Sequence, residues 1–90
     1  MIGQHIPVTA DAIVYTGGGR LAYVHLAAGA GAAATLILYD NVIAAGTVLA
    51  TLSAPAGGND SWGCGISIPF STGVYADIGG AGAAADVILA

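Results

Sequence analysis

Apolar runs of four to eight residues, each closed by a Gly, Pro, Asp-Asn or Ser signal, recur down the whole chain, and that punctuation favours short β-strands over any other element. Residues 12–15 (AIVY) form a first run, closed by Thr16-Gly17-Gly18-Gly19. Residues 20–27 (RLAYVHLA) and 35–39 (TLILY) follow, with the small-residue stretch 28–32 between them and Asp40-Asn41 as a turn after the second. Residues 47–52 (TVLATL), 62–68 (WGCGISI), 73–78 (GVYADI) and 86–89 (DVIL) continue the pattern, and Asn59-Asp60-Ser61 reads as a turn. Val, Ile, Thr and Tyr dominate the runs, while Lys and Glu are absent from the chain, so few good helix formers besides Ala and Leu are present. The spacing predicts an all-β chain: a small antiparallel β-sandwich or jelly-roll-like barrel of about seven strands. Residues 12–90 make its single domain, and residues 1–11, which contain Pro7, make an extended N-terminal arm able to dock on a neighbour.

Alternation within two runs carries more detail. In 20–27, Leu21, Tyr23 and His25 share one face and Ala22, Val24 and Leu26 the other, so both faces read as mostly apolar, as in a strand covered on two sides. In 62–68, Trp62, Cys64, Ile66 and Ile68 share a face, opposite Gly63, Gly65 and Ser67. Glycines in such a strand mark close approach of another backbone.

Ninety residues bury a limited core, so chains of this size usually lean on disulfides, a metal or oligomerisation. One cysteine, Cys64, makes no intrachain disulfide and fits a reducing compartment. No pair of His or Cys residues stands at metal-ligand spacing, so no metal and no cofactor is expected. Oligomerisation remains. The charge inventory agrees: Arg20 is the only basic side chain against five aspartates, and charged residues make up 7% where about a quarter is usual. A surface of Ala, Gly, Ser and Thr suits a protein covered by neighbours. A net charge of −4 argues against nucleic acid, which calls for several phosphate-neutralising side chains, and against anionic membrane surfaces.

Residues 21–39 carry no formal charge and reach the length of a membrane-spanning helix. His25, Thr35 and the glycines interrupt them, and no Lys flanks them to set an orientation. Residues 28–34 (AGAGAAA) resemble the close-packed helices of two-helix rotor-ring proteins, but no Asp sits within a long apolar run as the mid-membrane carboxylate of those proteins does. A membrane protein is the alternative of a different class. Catalysis is not expected. Gly29-Ala30-Gly31-Ala32-Ala33-Ala34 fits a dinucleotide-binding pattern, but a further strand arrives where a helix should begin. Gly17-Gly18-Gly19-Arg20 lacks the Lys-Ser/Thr of a phosphate loop, and Arg20 reads as a structural partner for an aspartate. His25, inside a strand, reads as a core or interface histidine, and Cys64 has no nucleophile signature around it.

Several stretches carry a resemblance. Gly19-Arg20-Leu21, then 34–41 (ATLILYDN), 44–49 (AAGTVL) and 68–75 (IPFSTGVY) resemble small virion structural proteins of tailed bacteriophages, over about residues 19–78. The resemblance implies a compact β-sandwich used as a building block on phage heads or tails, assembled in the host cytoplasm, and it carries no catalytic residues with it. The expected function is a capsid decoration (cement) protein that oligomerises on the head lattice, with itself and a major capsid protein or other virion protein as partners. A tail, head-fibre or spike-base component is the near alternative, and a carbohydrate-binding module using exposed Trp62 and Tyr side chains a third. Ile6 and Val8 of the arm, with the aromatics Trp62, Phe70 and Tyr75, are the candidate interface residues.

Overall fold

A computed structural model describes residues 4–63 and 67–90. Nine strands run in the order β1 (Gln4–Val8), β2 (Ala12–Thr16), β3 (Gly19–Ala27), β4 (Ala34–Tyr39), β5 (Val48–Ala54), β6 (Asn59–Trp62), β7 (Ile68–Phe70), β8 (Gly73–Gly79) and β9 (Ala84–Leu89). All pairings are antiparallel, and two sheets result. The five-stranded sheet has the order β1-β9-β3-β6, with β7 also on β3; the four-stranded sheet has the order β2-β8-β4-β5. This is the all-β, two-sheet architecture expected from the spacing of the apolar runs.

The two sheets close on one apolar core. Val8, Leu21, Val24, Leu26, Phe70, Ala85, Val87 and Leu89 come from the first sheet, and Ala34, Leu36, Leu38, Ala50, Leu52, Ala54, Val74 and Ala76 from the second. No polar or charged residue is buried among the described residues. Burial of this kind is the main favourable term in folding.

Three β-bulges decide which residues reach that core. In β3 the register against β9 shifts between Leu21 and Tyr23, so Ala22 is the extra residue. A bulge carries the following residues to the opposite face. Leu21, Val24 and Leu26 therefore all point inward, while Tyr23 and His25 are half-exposed on the outside. This corrects the strict alternation read from residues 20–27, and β3 faces the core on one side only. In β2 the shift lies between Ile13 and Tyr15; in β5 it lies at Leu49, between the pairs Leu38–Ala50 and Tyr39–Val48.

Residues 62–68 are not one strand. Trp62 ends β6 and Ile68 begins β7, both against β3, and Asn59-Asp60-Ser61, read as a turn, belongs to β6. Cys64, Gly65 and Ile66 of that expected strand lie outside the described residues. Residues 21–39, weighed as a membrane span, are part of β3, a loop and β4, and among the described residues no helix is long and apolar enough to cross a membrane.

The two ends of the sandwich are held differently. At one end the loops 28–33, 55–58 and 80–83 pack backbone on backbone: Gly57 N–H donates to Gly29 C=O at 2.8 Å, and Ala28 N–H to Gly58 C=O at 2.9 Å. A Cβ on Gly29 would stand 2.5 Å from the Ala81 carbonyl oxygen, so the Gly/Ala sequence there is a close-approach device. At the other end, side chains do the tying. The Asp40 carboxylate accepts from the backbone N–H groups of Ser71 (3.1 Å) and Thr72 (2.9 Å), joining the end of β4 to the β7–β8 turn. Asn41 accepts from Val42 N–H through Oδ1 and donates through Nδ2 to the Ala45 carbonyl. The stretches 34–41 and 68–75, which carried the resemblance, thus meet through Asp40.

Candidate interaction surface

Strands show one face to the core and one to solvent, so a two-sheet sandwich has two outward faces on which function can be built. On the four-stranded sheet, register aligns Ile13 with Tyr75, Tyr75 with Tyr39, and Tyr39 with Val48. Directly opposed residues point the same way. The result is an apolar row, Ile13–Tyr75–Tyr39–Val48, crossing all four strands on the outward face. Ile13 is 52% exposed and Val48 49%, and in the β4–β5 loop Ile43 is 57% exposed. Scattered apolar residues are ordinary on a surface, but a row spanning a whole sheet is a patch. The next row inward along the strands, Asp77–Ile37–Thr51, adds one carboxylate.

The five-stranded sheet presents a mixed outward face, where register aligns His5 with Ile88 and Ile88 with Tyr23 and the neighbouring row holds Asp86 and His25. His5 Nε2 lies 2.7 Å from Asp86 Oδ1, and His25 Nδ1 lies 4.0 Å from Asp86 Oδ2, so one carboxylate on β9 stands between histidines from β1 and β3. All three side chains are well exposed. No group of His, Cys, Asp or Glu among the described residues is arranged to hold a metal ion. His25 is thus neither in the core nor stranded alone. Arg20 bonds Ser67 instead of an aspartate: Nε donates to Oγ at 2.7 Å and an Nη to the Ser67 carbonyl at 3.3 Å. Its fork fits the hydroxyl and carbonyl of one residue because β3 and β7 are neighbours there.

Two open cavities among the described residues are small. One of about 210 Å³ lies where β1 and β2 part, lined by Ile6, Val8, Ala12 and Val14; the other, about 100 Å³, lies by Tyr15, Gly19, Arg20 and Phe70. Small-molecule sites usually run about 300–1,000 Å³ with converging polar groups. Gly29–Ala34, with its dinucleotide-like pattern, is a loop whose last residue, Ala34, opens β4.

The Asp40 carboxyl has a structural role. Backbone N–H groups of Thr72 and Ser71 hold the Asp40 carboxyl below its ordinary range, because they stabilise the charged form.

Of the residues expected at an interface, Phe70 and Val8 are buried in the core of the chain itself. Phe70 packs edge-to-face on Tyr15, with ring centroids 6.0 Å apart. Ile6 and Trp62 are half-buried and packed against the core, so Trp62 does not offer the exposed platform a carbohydrate module uses. Tyr75 alone sits in the outward row. The segment 4–8, read as part of an arm, lies as edge strand β1 along β9 of the same chain. Ile13, Tyr39 and Val48 were missed; the alternation Thr35-Leu36-Ile37-Leu38-Tyr39 does separate an outward Ile37 and Tyr39 from an inward Leu36 and Leu38.

No protein-family model, curated protein or solved structure matches the chain.

Proposed function

We propose that this chain is a virion structural protein, a capsid decoration (cement) subunit that works by self-association and by covering a lattice, with a tail, head-fibre or spike-base role as the alternative. The observation that carries this reading is the outward apolar row Ile13–Tyr75–Tyr39–Val48 on a protein whose surface is nearly without charge. Burial of such a row is favourable at roughly 25 cal/mol per Å² of apolar area removed from water. Many copies on a lattice add their weak contacts, so no single interface need be strong. The resemblance of residues 19–78 to small phage virion proteins supplies the setting, and a rigid two-sheet core suits a part that bears load without chemistry.

Cryo-electron microscopy of purified particles from the phage encoding this chain tests the reading. Repeated density on the head lattice supports decoration. Density confined to the tail or portal moves the assignment to the alternative, and absence from the particle overturns both.

A further inference from the structure

The four-stranded sheet ends at β5, and the backbone phase of that strand can be fixed. Ser53 N–H donates to the Asp60 carboxylate at 3.3 Å, away from β4. Backbone groups alternate sides along an antiparallel strand, so Thr51, two residues earlier, turns its N–H and C=O to the same outer edge. Ala50 and Leu52 turn theirs toward Leu38 and Leu36 of β4. Among the described residues no strand pairs with that outer edge.

The other strand edges carry devices that discourage pairing. Edge strand β1 holds Pro7, which has no N–H to offer; β2 is bulged at Val14; β6 is four residues long and carries Asp60; β7 is three residues long and contains Pro69. By contrast β5 is seven residues long, without proline or a charged residue. Its bulge, at Leu49, lies near one end and Asp60 guards the other at Ser53, which leaves the stretch around Thr51 open between them.

We infer that the outer edge of β5 is a seam where a second copy of this chain adds its own β5 antiparallel, joining two four-stranded sheets into one of eight strands. A strand edge is satisfied by another strand edge, and within a second copy β5 is the longest edge strand free of proline and charge, with its bulge and its carboxylate confined to its ends. A two-fold pairing of β5 with itself opposes no charges, because the strand has none. The two Asp60 carboxylates fall at opposite ends of the seam. The two-fold axis stands normal to the joined sheet, so both apolar rows face the same way and form one larger platform. This rests on the self-association reading above and names its contact.

Two measurements test it. The first is amide hydrogen exchange of the full chain, followed by NMR against protein concentration: protection of the Thr51 amide should rise at least about tenfold as the oligomer forms. The second is sedimentation of Thr51→Pro, which removes an outward N–H without touching the β4 ladder, and should weaken dimerisation by at least about tenfold, or about 1.4 kcal/mol. If Thr51→Pro does not fold, Thr51→Lys serves, since pairing then brings two ammonium groups together at the seam. Association that persists in these variants, with a Thr51 amide that exchanges fast at every concentration, overturns the seam and leaves self-association through the apolar row standing. A wild-type chain that stays monomeric at hundreds of micromolar overturns the seam and the self-association reading together.

Discussion

On the inside, β3 and β9 present Val24, Leu26, Ala85, Val87 and Leu89; facing them, β4 and β5 present Leu36, Leu38, Ala50 and Leu52. On the outside the sheets part company. The five-stranded sheet shows His5, Asp86 and His25 alongside Ile88 and Tyr23, and the four-stranded sheet shows the unbroken apolar row Ile13, Tyr75, Tyr39 and Val48. Matching inner faces make a fold, and under the proposed function the difference between outer faces gives the molecule a direction. Folding constrains the inner pair most strongly, and the cross-strand pairs of the outer row add a smaller stabilisation of roughly 0.2–1 kcal/mol each.

The comparison breaks most visibly if the inner faces prove unequal. Leu26→Ala and Leu36→Ala, one from each sheet and both fully buried, should each cost about 2–5 kcal/mol in urea unfolding. A large loss from one and a negligible loss from the other would mean that the core belongs mainly to one sheet. Next in size are the outer faces. Tyr39→Ser should weaken self-association about tenfold by sedimentation while the unfolding midpoint hardly moves, and Ile88→Ser on the outward face of the five-stranded sheet should leave association unchanged. Equal effects from the two would erase the distinction drawn between the faces.

Acid sharpens the comparison differently, because Asp40 ties β4 of one sheet to the turn between β7 of the other and β8. Its folded pKa lies below the unfolded value near 3.8, so its contribution is present above that pH and is lost as pH falls through the lower folded value. Asp40→Asn should therefore lower stability at neutral pH and flatten the acid limb of a stability profile recorded from pH 5 to pH 2. A profile unchanged in that window would remove Asp40 as the tie. The smallest effect belongs to His5→Gln, which loosens an exposed pair and should shift stability by less than about 1 kcal/mol.

Much of the fold was legible from punctuation. Asp40-Asn41 after TLILY, and Gly46 and Pro55 around TVLATL, mark ends that the structure has to within a few residues, whereas Pro69 falls inside β7 and not at the end of a strand. Gln4–Val8 pairs with β9 across nearly the whole chain, a contact that no local signal announces. The candidate surface was less legible. Aromatic content pointed to Trp62 and Phe70, but size and apolarity serve a core and an interface equally well, and both side chains went to the core side.

The sequence by itself determined strand class, approximate strand limits and the scarcity of charge, because turn chemistry and apolar run length are local properties. Only the tertiary structure decided which apolar residues face out. Strict alternation would put Ile13 beside Tyr15 and Val48 beside Ala50; the bulges at Val14 and Leu49 instead send Tyr15 and Ala50 inward and leave Ile13 and Val48 exposed. A bulge is set by the fit of two strands to each other, and that fit exists only once both sheets have closed on the core.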